Sequence, residues 1–453
     1  MNKKILTGLI TTLIALLFSS SAFALTEGDW EFQLLDDEVT ITGYHGEGGD
    51  VVIPETIYGV KVTKIENEIF EDNIKSLTLP KWVKEVGRLF WLYSDNLQEI
   101  ILPEGLEKIH SYAFSSCPGL ESVHLPSTLK EIGIESFYQC HNLSQINFPH
   151  SLTSIGLEAF SGCNFKTLEL PATITFIDGG AFSNNPNLTS ITIKSNIKDL
   201  PAGRYSGFLS GCTSLTEVSL PNTLESIGGH AFSDCVSIKN IIFPTSLKAI
   251  GYEAFTGCNG LTEVVIPYGV EFIDERAFGY CQNLKSLYIP DSVTNLSHRA
   301  INDSNNCIIY CTSNSPASKV CKENSISYLT DKSVNTGIHV LYNGTRISFH
   351  SYNQNPEIIK SRTLVPLRAI FEAMDADVQW DDATKTAIAT RGNITIKISI
   401  GANEMYKNGQ TIAVDVPAQI SNSRTMIPVR VIAEAFGADV QWNANGKTVL
   451  INE

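Results

Sequence analysis

Seven of the ten cysteines recur at one spacing, and three chemistries compete for them. Cys117, Cys140, Cys163, Cys212, Cys235, Cys258 and Cys281 step by 23 residues, except between 163 and 212, where Asn185 takes the slot. In an exported chain such a set invites a disulfide framework. A position shared by Cys and Asn reads differently, as an inward site where a small group satisfies neighbouring backbone. Strands stack ~4.8 Å apart, which lies inside the ~4.4–6.8 Å Cα window of a disulfide. Side chains in register nevertheless point parallel to one another. A ladder of free thiols is therefore expected. A metal site is disfavoured, because no Cys-x-x-Cys pair or His partner recurs. Cys307, Cys311 and Cys321 fall outside the period, and a Cys311–Cys321 bridge stays open.

Other reactive constellations are missing from the sequence. The nine histidines are scattered, and no nucleophile elbow, His-Glu-x-x-His, Gly-rich phosphate loop or carboxylate pair stands out. The expectation is a protein with no catalytic residues, no metal and no cofactor.

The cysteine spacing belongs to a longer pattern. Leu120-Glu-Ser-Val-His-Leu-Pro126, Leu143-Ser-Gln-Ile-Asn-Phe-Pro149, Leu215-Thr-Glu-Val-Ser-Leu-Pro221 and Leu261-Thr-Glu-Val-Val-Ile-Pro267 are copies of one segment. Each is followed by a return such as Thr128-Leu-Lys-Glu-Ile-Gly133 leading to Ser136-Phe137. Prolines 80, 103, 126 and 149 keep the 23-residue step, as do 221, 244, 267 and 290; with degenerate units at Pro54 and Lys194 there are eleven repeats. The segment alternates like a short strand with one buried face. Pro, lacking an N–H, ends its ladder. One unit cannot bury its apolar face alone, so the repeats must stack into a solenoid with a parallel sheet. The phenylalanines at 114, 137, 160, 182, 232, 255 and 278 should form an internal column.

These repeats resemble the BspA-like leucine-rich repeats of bacterial surface proteins, over roughly residues 45–330. The resemblance implies a leucine-rich-repeat solenoid, with Val39–Tyr44 and Val51–Pro54 as the entry rung and Ile308–Tyr328 as the cap. The pattern departs in three places. One residue is missing after Cys163, an insertion occupies 195–211, and Ile301 stands where Phe is expected. The first two should bend the stack or bulge a rung.

The ends carry different signals. Lys3 and Lys4, the apolar run Ile5–Phe18 and Ala22-Phe23-Ala24 read as a secretory signal over 1–24, with 25–330 as the solenoid and 331–337 as a linker. Beyond it, 338–453 holds a duplication at an offset of 62 residues. Ser361-Arg-Thr-Leu-Val-Pro-Leu-Arg368 matches Ser423-Arg-Thr-Met-Ile-Pro-Val-Arg430, and Asp377-Val-Gln-Trp380 matches Asp439-Val-Gln-Trp442. Each half reads as a hairpin, a helix and two strands, a small α+β domain. Pro366 and Pro428 suit a first helical turn. Arg368 with Glu372, and Arg430 with Glu434, are spaced for i,i+4 ion pairs. This half resembles the copper amine oxidase N-terminal (stalk) domain. The resemblance implies only the non-catalytic stalk. His339 and His350 are its only histidines, too few for copper.

The net charge is −15 and sits in 25–337, because 338–453 holds as many basic as acidic side chains. Such a body is repelled by phosphate backbones and anionic headgroups, which excludes nucleic acid as partner. Membrane insertion is not expected either. What remains is an extracellular, secreted or non-covalently surface-held adhesion or binding protein. Its sheet face would recognise a protein or glycan at the cell surface or host matrix, and its C-terminal module would attach to the envelope or a partner. A purely structural envelope component and an accessory to an extracellular enzyme are the alternatives. The outward column of the sheet runs Thr78, Ile101, His124, Asn147, Glu169, Thr192, Ser219, Ile242, Val265, Tyr288. It turns apolar at Ile242, Val265 and Tyr288, beside Asn240, Glu263 and Ser286, and this strip is the candidate ligand patch.

Overall fold

The computed structural model describes residues 25–89, 94–203, 206–331, 334, 338–343, 345–347, 349, 354–443 and 447–453. The expected signal segment 1–24 and most of the linker lie outside them. The chain is a β-solenoid of parallel sheets followed by a β-rich module, and it divides into two compact units, Met1–Leu215 and Thr216–Glu453.

The first unit begins with strand Leu25–Glu27 antiparallel to Trp30–Leu35, which in turn pairs antiparallel with Glu38–Tyr44 through a turn at Asp36 and Asp37 with φ of 50° and 60°. These left-handed values fit a two-residue hairpin turn. The entry is thus larger than the single rung expected from Val39–Tyr44. Strands Gly49–Val52, Ile74–Thr78, Glu99–Ile101, Ser122–His124 and Gln145–Asn147 then form one parallel sheet. Its register follows the repeat, with Ser122 opposite Gln145 and Val123 opposite Ile146. The returns build a second parallel sheet, Glu85–Val86 through Phe176–Ile177, which the sequence pattern left as an unlabelled turn. The first sheet is interrupted between Gln145–Asn147 and Thr167–Leu170, where one residue is missing after Cys163.

Backbone hydrogen bonds link each turn to the next. Phe114 N–H donates to Ser136 O, Phe137 N–H to Ala159 O and Phe160 N–H to Ala181 O, at 2.8–2.9 Å. Two positions per rung are left-handed, such as Glu135 and Gln139 or Glu158 and Gly162. A non-glycine residue there costs ~1–2 kcal/mol. The bonds from Glu135 N–H to Leu157 O and from Gln139 N–H to Ser161 O, both 2.8 Å, hold it in place. Inside, the rings stack: Phe137 lies 5.2 Å from Phe160 with 4° between planes, and Phe160 lies 5.6 Å from Phe182. Gly156 allows this spacing, since a Cβ there would sit 2.7 Å from the backbone of Gly133 and Ile134.

The thiols complete the turn. All ten cysteines are free and buried, Cys311 and Cys321 included. Cys140 Sγ donates to Phe114 O at 3.2 Å and Cys163 Sγ to Phe137 O at 3.3 Å. In the second unit Cys258 donates to Phe232 O and Cys281 to Phe255 O, both at 3.1 Å. Asn185 Nδ2 and Ser304 Oγ fill the same role toward Phe160 O and Phe278 O. Burial pushes the thiols of Cys140, Cys212 and Cys281 up to about 12.

The second unit continues with the same rung. Its returns pair in parallel from Ser226–Ile227 to Asn295–Leu296, and Phe232, Phe255 and Phe278 stack at 5.0–5.3 Å. Its face strands are Glu263–Val265, Ser286–Tyr288, Ile308–Cys311 and Tyr328–Thr330. Residues 240–243 form no ladder. Helix α1, Pro316–Glu323, starts at Ser315, whose Oγ accepts from Ser318 N–H at 3.1 Å.

The rest of this unit is a duplicated module. The central strands of the two copies, Arg362–Pro366 and Arg424–Pro428, pair antiparallel, placing Leu364 opposite Pro428 and Pro366 opposite Met426. Helices α2, Leu367–Ala373, and α3, Val429–Phe436, follow these strands. Pro366 and Pro428 are the N-cap residues and end the strands, one step before the helical turn they were expected to enter. Phe371 and Phe436 meet edge-to-face at 5.9 Å in the core. Asn408 and Gly409, at φ of 50° and 84°, form the hairpin turn between Glu404–Lys407 and Gln410–Ala413.

Three measurements check this rung. Gly156→Ala should lower the stability of the folded chain by ~1–3 kcal/mol in chemical denaturation, the cost of forcing extra volume into packed backbone. The raised thiols keep the folded state protonated while unfolded cysteines ionise. Their contribution is complete below the ordinary thiol value of 9.0 and is lost as pH rises toward about 12. The melting temperature should therefore fall above about pH 9. At pH 8 the seven repeat thiols should resist iodoacetamide until the chain is unfolded without reductant; finding them joined as disulfides would contradict the ladder.

Candidate functional site

The outward column of the sheet has two different fates. In the first unit it is open. Val52 is 66% exposed and Ile101 49%, with His124 and Asn147 exposed alongside. Asp50, Glu99, Ser122 and Gln145 form the neighbouring exposed column. The strip is mostly polar, as a solvated sheet face should be, with two apolar side chains set into it.

In the second unit the column is covered by the chain itself. Tyr288, expected in an open apolar strip with Ile242 and Val265, is only 6% exposed. Its ring stacks on Tyr310 at 4.6 Å and carries the Arg346 guanidinium at 4.3 Å. Arg346 N–H donates to Glu263 Oε1 at 2.9 Å, and its side chain pairs with Asp331 at 3.5 Å, both side chains being nearly inaccessible. Asn240, Ile242, Glu263 and Val265 line a small cavity of 20 Å³ closed on its other side by His339, Leu341 and Thr448. Strand His339–Tyr342 belongs to the module, pairing in parallel with Thr448–Asn452. No repeat pattern signals this docking, because Arg346 and His339 lie outside both repeats. Ser286 is half-buried beside Tyr288.

Burial sets the protonation states here. Burial raises Glu263 to about 7, even though the Arg346 guanidinium and backbone N–H pull the other way. Burial and the same guanidinium hold His339 down at about 3, so its ring is neutral. Burial pushes the Tyr288 phenol up to about 12.

The other sequence-derived candidates separate. Arg368 and Glu372 approach to 3.9 Å, at the limit of an exposed ion pair, and such pairs contribute little. Arg430 and Glu434 form no ion pair. Their i,i+4 spacing permits contact without enforcing it. Among the described residues no group of three or more His, Cys, Asp or Glu side chains could hold a metal, and no helix is long and apolar enough to cross a membrane. His350 lies outside the described residues.

Comparison with known proteins places this architecture in a class. The BspA type leucine rich repeat region matches in six copies over residues 51–163, 107–207 and 187–308. The copper amine oxidase N-terminal domain matches 341–451. The chain belongs to the BspA-type leucine-rich-repeat family, with a copper amine oxidase N-terminal domain after the repeats. Among solved structures it is similar to a leucine rich cell surface protein from Faecalibacterium prausnitzii, at 24% identity over 68% of this chain and 99% of that one, with a TM-score of 0.41. It is also similar to a leucine-rich repeat protein from Bacteroides ovatus, at 20% identity over 65% and 100%, TM-score 0.38. The pneumococcal vaccine antigen PcpA matches at 19% identity over 69% and 100%, TM-score 0.43. No curated protein matches the chain.

Removing Arg346 should leave Asp331 buried without its cation, so Arg346→Ala should cost ~3–5 kcal/mol in the stability of the second unit and open Tyr288 to proteolysis nearby. Glu263 and His339 impose opposite pH slopes. Glu263 stabilises fully below its ordinary 4.5, and that contribution is lost as pH rises through about 7. His339 stabilises fully above its ordinary 6.5, and that contribution is lost as pH falls toward about 3. Glu263→Gln should remove the first slope, shifting the balance of melting temperatures toward pH 7.5 over pH 5.

Proposed function

We propose that this is a non-catalytic, extracellular or surface-held protein that binds a protein ligand on the open sheet face of its first unit. The observation that carries this reading is the exposed pair Val52 and Ile101 within a polar, in-register strand face. Apolar side chains set in a polar rim are the usual composition of a contact surface. Membership of the BspA-type repeat family supports it, as does the regular backbone, which offers a rigid scaffold for adhesion at the cell surface or host matrix. The module after the repeats serves as the attachment unit, toward the cell envelope or a partner. The strip at Ile242, Val265 and Tyr288 is not the ligand site in this reading, since the module already occupies it.

The test is the full chain carrying Val52→Ser, Ile101→Ser and His124→Ser together, compared with the parent on washed cell surfaces and matrix proteins. The parent should bind and the variant should lose at least about tenfold, typical of removing central contact residues, with an unchanged melting temperature. Equal binding by both would favour a structural envelope component with no ligand on this face.

A further inference from the structure

The duplicated module carries a feature that packing does not account for. Two open grooves lie on it, of 440 and 340 Å³, within the size range of ligand sites. The larger is lined by Arg362 of the first copy with Arg430, Gln441 and Trp442 of the second. The smaller is lined by Arg424 of the second copy with Arg368, Gln379 and Trp380 of the first. Moving each residue by the 62-residue offset exchanges one set for the other. The antiparallel pairing of Arg362–Pro366 with Arg424–Pro428 causes the crossing, because it lays each copy's Ser-Arg-Thr against the other copy's helix start. Neither copy makes a groove alone.

The retained residues are solvent-facing. Trp380 is 43% exposed and Trp442 39%, and all four arginines are exposed. Burial explains why two copies keep Pro, Val and Ala; it does not explain why they keep exposed Trp, Gln and Arg. Fixed ion pairs do not explain the arginines either. Arg362 pairs with Asp415 at 2.6 Å and Arg368 approaches Glu372 at 3.9 Å, whereas Arg430 has no ion pair among the described residues. The guanidinium is kept while its local partner changes.

We propose that these twin grooves bind an acidic glycan whose repeating sugars carry carboxylates. An exposed indole offers an apolar face for a pyranose ring; the Trp380 N–H already donates to Asp382 Oδ1 at 3.4 Å. A guanidinium takes a carboxylate through its planar fork, and a Gln amide can both donate to and accept from hydroxyls. Asp415, itself half exposed on Arg362, shows how a ligand carboxylate would sit and leaves on displacement. Two equivalent grooves suit a polymer, where the second contact gains from effective concentration. This deepens the attachment reading of the module and rests on it. Envelope binding without uronate binding would remove only the ligand chemistry.

The test uses the full chain with an alginate oligosaccharide and, as controls, dextran and poly-glutamate of matched length. Calorimetry should show two alginate oligosaccharides per chain, one for Trp380→Ala or Trp442→Ala, and none for the double variant, with melting temperatures unchanged. Loss of one groove should weaken long-chain alginate by more than about tenfold, the lost avidity. Arg430→Gln keeps the indole and should weaken alginate at one groove only. Equal binding of dextran, equal binding of poly-glutamate, unaltered stoichiometry in the variants, or no alginate binding at all would each overturn the proposal.

Discussion

The structure depends on a hydrogen bond that recurs every 23 residues, from one turn's backbone N–H to the next turn's carbonyl. Phe137 to Ala159 in the first unit and Phe255 to Ala277 in the second are the same bond, both 2.8 Å. Once it is fixed, the other features of the rung follow. The rings must stack near 5 Å, the residue after Ile must be small at Gly156 and Gly251, and two residues per turn must enter the left-handed region. The carbonyl of each Phe is left pointing inward, where an unpaired acceptor would be costly. A thiol from the next rung, or Asn185 or Ser304 in its place, satisfies it. Cysteine here is a small donor with an apolar body, which explains so many thiols without a disulfide.

How far the sequence spoke depended on periodicity. The phenylalanine column, the inward slot shared by Cys117 to Cys281 with Asn185, and the duplication at 361–368 and 423–430 were legible because each repeats within the chain. The second parallel sheet was missed because two-residue strands such as Lys108–Ile109 leave too little alternation to read. The entry hairpin from Trp30 was missed because it precedes the first repeat. The covering of Tyr288 was invisible for a deeper reason. It is a contact between non-repeating residues, Arg346 and Asp331 with a rung, and no local pattern encodes the partner of a buried charge.

That docking divides the functional surface. Alternation assigns Ile242, Val265 and Tyr288 to the outer column, yet an outward position is not an exposed one when another segment of chain lies over it, as at Tyr288. Exposed apolar side chains remain at Val52 and Ile101 in the first unit, beside polar neighbours. In the module, the pattern Arg-Thr…Pro-x-Arg…Val-Gln-Trp looked like a helix with an i,i+4 pair. The antiparallel central strands instead bring its exposed residues together between copies, where the ion pairs differ and the indoles do not.

The inter-turn bond, more than the short face strands, holds the rungs. Amide hydrogen exchange on the intact chain, resolved at single residues, tests it directly. The amides of Phe114, Phe137, Phe160, Phe232, Phe255 and Phe278 should be among the slowest in the chain, exchanging only through opening of the whole stack. Exchange of these amides within seconds at neutral pH, while the face-strand amides stay protected, would contradict it.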